Sequence, residues 1–127
     1  ECIEFCNSNR IKNVIFKNFT KNKKKALLRG FCYISASIWE GLPLSVLEAL
    51  SLNRSICISD VIGHREFLDL KRENIKYFKL NNIKSARNHI KYLYNTFNNQ
   101  NFKKNIDEFK LIYDIKITVK KYSLLYL

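Results

Sequence analysis

Phe31-Cys32-Tyr33-Ile34-Ser35, then Ala36 to Pro43, then Leu44 to Leu52, then Ser55-Ile56-Cys57-Ile58-Ser59 is the stretch that decides the fold. Two short apolar runs enclose a polar loop and a segment with leucines at 44, 47 and 50. Runs of that length read as buried strands, and the spacing between them reads as one face of a helix. Pro43 suits the first turn of that helix, where its missing N–H had no partner to lose. Asn53 suits the left-handed residue that stops it, and Asp60 closes the second run. A strand, a crossover helix and a second strand at this spacing argue for a parallel sheet.

Working outward, Glu1 to about Asn7 reads as the end of a helix, with Ile3 and Cys6 on one side. Asn13-Val14-Ile15-Phe16 is expected to be a further buried strand. Lys21 to Arg29 is expected to form a short basic helix stopping before Gly30. Beyond the second run, Ile83, Ala86, Ile90 and Leu93 recur at helical spacing between Asn82 and Tyr94. Asn95 to Asn105 reads as a polar connector, and Ile115, Val119, Tyr122 and Leu125 as a last amphipathic helix. The expected class is therefore α/β, with residues 1–110 one domain and 111–127 a terminal helix.

The bulk properties agree with one domain. The chain has 127 residues, 46% hydrophobic and 27% charged, which excludes a disordered segment. One Pro and three Gly leave little room for a turn-rich all-β fold. The formal charge of +12 favours anionic partners, although Lys scattered among Asn and Ile also fits a biased composition. Of four Cys, Cys32 and Cys57 sit inside apolar runs as small hydrophobes. Cys2 and Cys6 share a helix face, but no second ligand pair follows at zinc spacing, so no metal is expected. No run approaches the roughly 18 apolar residues of a membrane span, and no signal peptide opens the chain. A chain opening on Glu1 and containing no Met reads as part of a longer protein.

The chemistry lies in the loop from Ser35 to Pro43. In an open parallel sheet, ligands bind beyond the carboxyl ends of the strands. Unpaired N–H groups at the start of the following helix, with its dipole, suit a phosphate or diphosphate. Gly41 admits close approach to the backbone. Glu40 and Glu48 flank that place, and Glu48 leans toward the helix start. A carboxylate beside a diphosphate is repelled by it, so its use is to accept hydrogen bonds from ribose or hexose hydroxyls.

The run Ser37-Ile38-Trp39-Glu40-Gly41-Leu42-Pro43-Leu44-Ser45-Val46-Leu47-Glu48-Ala49-Leu50 resembles the signature of the family 4 (group 1) retaining glycosyltransferases, in which two Glu are separated by seven residues. The resemblance continues through Ile56 to Asp60 and the turn Gly63-His64-Arg65-Glu66, covering roughly residues 13 to 68. It implies the donor-binding, C-terminal half of a GT-B enzyme, Rossmann-like. It also implies sugar transfer from a nucleotide diphosphate sugar with retention of configuration and without a metal or cofactor. Glu40 then contacts the donor sugar at the reaction centre, and Glu48 binds the ribose. Ser37, Gly41, Leu42, Pro43 and Leu44 line the site, with amides near Leu42 to Leu44 holding the distal phosphate. Asn53, Ser55 and Ala36 depart from the family's usual Gly, Pro and Pro. The family's basic diphosphate clamp and its acceptor-binding N-terminal domain would lie upstream of this sequence, so the fragment alone is expected to be inactive. The acceptor implied is a glycan or lipid-linked sugar. The expected setting is polysaccharide or glycolipid synthesis in the cytoplasm, with peripheral association at the inner face of the plasma membrane compatible with the charge.

Three other readings bear on single residues or the whole. His64, in a loop after a strand, is the histidine able to line the crevice; His89 falls on a surface helix. Trp39 reads as packing or a loop anchor, and Lys21 to Lys25 as a solvated face. The aromatics fall inside apolar runs and not on one sheet face between Arg and Lys, which argues against nucleic acid as a partner. A non-catalytic transferase-like subunit stays open as an alternative.

Overall fold

A computed structural model describes residues 1–68, 73–97 and 116. Helix α1 spans Cys2–Ser8, α2 Lys23–Arg29, α3 Leu44–Ser51, α4 Ile62–Arg65 and α5 Ile83–Phe97. The strands are β1 Cys32–Ser35, β2 Ser55–Ser59 and β3 Ile75–Phe78. They form one parallel sheet in the order β1-β2-β3, with Cys32 beside Ser55 and Ile56 beside Ile75. The arrangement is α/β and Rossmann-like: a parallel sheet with helices on both faces.

Strand alternation sorts the core into two layers. On one face Ile56, Ile58 and Ile75 pack against Val46, Ala49 and Leu50 of α3, with Phe67 and the half-buried Leu27 of α2 beside them. On the other face Cys57 and Phe78 meet Leu93 of α5, with Ala86, Ile90, Phe31 and Cys32 around them. Every residue of β2 is buried because it is central and covered on both faces. Phe31 also stacks edge-on against Tyr94, centroids 5.3 Å apart, tying the entry of β1 to α5.

Several sequence expectations are corrected. Residues 13–16 form no strand: Val14, Ile15 and Phe16 are 47%, 77% and 47% exposed. An apolar run becomes a strand only when a neighbouring strand pairs with its N–H and C=O groups, and no described strand pairs with residues 13–16. As an edge strand β1 is only partly buried, with Ile34 exposed. Pro43 is the N-cap of α3 and not its first residue. The buried stripe of α3 is Val46, Ala49 and Leu50, while Leu44 is exposed and Leu47 half-buried. Helix α5 runs on to Phe97, through the first residues assigned to a connector, and its first residue Ile83 is exposed.

Strand β3 and the single turn α4 were not anticipated. Ile75-Lys76-Tyr77-Phe78 carries a strand-like pattern, but its polar Lys76 broke the apolar run that marked the others. Lys76 lies over the Tyr92 ring at 4.4 Å, so its ammonium finds an aromatic face on α5. Asn53 does take the left-handed conformation, at φ 54°, and its N–H reaches back to Leu50 O at 2.9 Å. The predicted terminal helix, apart from Lys116, lies outside the described residues, as does the rest of the connector.

Candidate functional site

The loop from Ala36 to Pro43 leaves the carboxyl end of β1 and enters α3, as an open-sheet binding crevice requires. Its anchorage runs through β2. The Ser59 hydroxyl donates to Ser37 O at 2.6 Å, and the hydroxyls of Ser35 and Ser37 lie 3.1 Å apart. Beneath them His64 is fully buried, with Nδ1 2.7 Å from Ser59 O and 3.2 Å from Ser59 Oγ. A carbonyl only accepts, so Nδ1 carries the hydrogen. His64 is thus a buried support under the loop and does not line the crevice. Its Nε2 has no hydrogen-bond partner among the described residues.

Gly63 makes the second anchor. A Cβ at Gly63 would overlap the backbone carbonyl oxygens of both Glu40 and Gly41. The turn Gly63 to Glu66 is therefore in backbone contact with the loop that carries Glu40. Arg65 fixes the same turn to the end of β2, its Nε 2.6 Å from Asp60 Oδ1. That guanidinium donates to the Asp60 carboxylate and holds its pKa below the usual range.

The start of α3 has no side-chain cap and no acidic residue in its first turn. Leu44 N–H turns back to Leu42 O at 2.9 Å, while Val46 and Leu47 N–H reach Pro43 O at 3.0 and 3.1 Å. Pro43 has no N–H to give. That accounting leaves the N–H groups of Gly41, Leu42 and Ser45 without a protein acceptor among the described residues. Of the residues expected to hold an anion, Leu44 is thus engaged internally, and Ser45, not singled out from sequence, supplies a donor. Gly41 and Leu42 are exposed, and Pro43 is buried beneath them.

Glu40 is half-buried on this loop, and Glu48 lies in the second turn of α3. Glu48 Oε1 sits 3.0 Å from Lys23 Nζ of α2, so the lysine run is not wholly a solvated face. The Tyr33 hydroxyl donates to Ser45 Oγ at 2.9 Å. Trp39, expected to pack or to anchor the loop, is 76% exposed, and a Cβ added at Gly41 would lie 3.7 Å from its ring. No group of three or more His, Cys, Asp or Glu side chains among the described residues is arranged to hold a metal ion. None of the described helices is long and apolar enough to cross a membrane.

Over 57 residues, 44% of this chain, the sequence is 44% identical to an uncharacterized glycosyltransferase of Methanocaldococcus jannaschii. The matched segment is 14% of that relative's length. No protein-family model matches the chain, and no solved structure matches it. The similarity is therefore to a glycosyltransferase and is confined to part of each chain.

Proposed function

We propose that this chain is the nucleotide-sugar-binding part of a retaining glycosyltransferase, corresponding to the C-terminal half of a family 4, GT-B enzyme. The observation that carries the reading is the start of α3: three N–H groups without protein acceptors among the described residues, at chain positions between Glu40 and Glu48. The similarity to a glycosyltransferase supports it.

In this reading the N–H groups of Gly41, Leu42 and Ser45, with the positive end of the helix dipole, bind the donor diphosphate. As the bond from sugar to diphosphate breaks, negative charge grows on the leaving oxygens, and fixed donors aimed there lower the barrier. Glu40 contacts the donor sugar at the reaction centre. Glu48 accepts hydrogen bonds from the ribose hydroxyls. Ser37 holds the loop through its backbone contact with Ser59. The acceptor, a glycan or lipid-linked sugar, would be bound by a domain outside this sequence, and the basic charge of +12 is compatible with an anionic membrane surface beside it.

Calorimetric titration with uridine, guanosine and adenosine diphosphates and their sugars tests this. A hydrogen bond to a charged group contributes about 1.5–3 kcal/mol. Glu48→Ala should therefore weaken binding of the preferred nucleotide about 10- to 100-fold while the melting temperature stays near that of the wild type. Unchanged affinity in Glu48→Ala contradicts the ribose role.

A further inference from the structure

We propose that Lys23 is a positioning residue for nucleotide recognition: its ion pair with Oε1 of Glu48 holds that carboxylate so that Oε2 faces the ribose hydroxyls. The inference rests on the ribose role given to Glu48 above and adds the group that orients it.

Lys23 and Glu48 are 25 residues apart, on the first turn of α2 and the second turn of α3, and meet at 3.0 Å. Ser45 and Glu48 stand three residues apart and so share one face of α3. That face is linked to the same side of the sheet a second time, by the Tyr33 hydroxyl on Ser45. Oε2 of Glu48 has no hydrogen-bond partner among the described residues, which leaves it available to a hydroxyl. The pair is open to a ligand, with side chains 58% and 39% exposed.

Two electrostatic arguments give the pair a purpose other than stability. A pair this exposed adds little to folding, since solvent screens it and both side chains lose rotamer freedom. Lys23 also opens α2 beside Lys24 and Lys25, with no acidic residue in that turn, where the helix dipole disfavours cations. An anion at the start of α3 would push Glu48 away. The ammonium opposes that displacement, so the carboxylate keeps its place when the diphosphate arrives.

The test compares uridine, guanosine and adenosine 5′-diphosphates with their 2′,3′-dideoxy counterparts by calorimetry, on the 127-residue chain. The readout is the ratio of affinities for the ribose and dideoxy forms. Wild type should favour the ribose form, Lys23→Met should cut that preference by about tenfold, the scale of coupling between touching groups, and Lys23→Arg should keep most of it. In a Glu48→Ala background, Lys23→Met should change the ratio no further. A uniform loss of both forms with the ratio intact overturns the proposal, because Lys23 would then act on the phosphates. An unchanged or increased ratio in Lys23→Met overturns it as well. The reading of Glu48 fails separately if wild type and Glu48→Ala show the same ratio, and the proposal falls with it.

Discussion

At Gly63 the absence of a side chain is what lets α4 touch the backbone of Glu40 and Gly41. Overpacking a contact of this kind costs about 1–3 kcal/mol, and here the atoms that must yield are backbone atoms of the loop bearing Glu40. Gly63→Ala should lower stability by about that amount in chemical denaturation and should also weaken diphosphate binding, because the loop moves. Retention of both would mean the loop relaxes without consequence. The reason for this glycine was not legible in the sequence, since its partner lies more than twenty positions away. Asn53 was legible, because a left-handed cap is a local demand on one residue's backbone. For the same reason as the contact of Gly63, the supporting place of His64 was not legible. Its burial and its hydrogen bond to Ser59 depend on where β2 ends in space.

Among the elements, β2 and α3 were read well and the run at residues 13–16 was not. A central strand covered on both faces is apolar throughout, so Ile56, Cys57 and Ile58 announce themselves. Val14 to Phe16 has the same composition but lacks a described neighbouring strand, and pairing is not written in composition. For α3 the helix and its buried Leu50 were read rightly, but the rest of the stripe is Val46 and Ala49 where Leu44 and Leu47 were expected. Leu44 looked like core until the N-cap at Pro43 fixed which way the first turn faces. Burial gives a chemical consequence in the central layer. It pushes the Cys57 thiol up to about 11 and the Cys32 thiol up to about 12. Both stay protonated at neutral pH, so alkylating reagents should label Cys2 and Cys6 in the native protein and reach Cys32 and Cys57 only after unfolding. A raised thiol pKa means that the folded state keeps its proton after the unfolded chain has lost it. That stabilisation is complete below the ordinary thiol value of 9.0 and falls as pH rises toward about 11 to 12. Native labelling of Cys57 at neutral pH, or a flat alkaline stability profile, would contradict this packing.

Over the whole molecule, a parallel sheet with helices on both faces places one loop, one helix start and one supporting turn together at the carboxyl ends of β1 and β2. The fold class followed from strand–helix alternation, and so did the choice of a candidate site, since ligands gather at that end of such sheets. Which N–H groups stay open did not follow, because it depends on the turn at Leu42 and Leu44 and on the carbonyl of Pro43. The central claim is that an anion sits on those open groups. Backbone amide chemical shifts followed by NMR during titration with nucleoside diphosphates test it most directly. The account predicts the largest changes at Gly41, Leu42 and Ser45, diminished for the nucleoside lacking its phosphates. Shifts concentrated on α2 or α5, with those three amides unmoved, would contradict it.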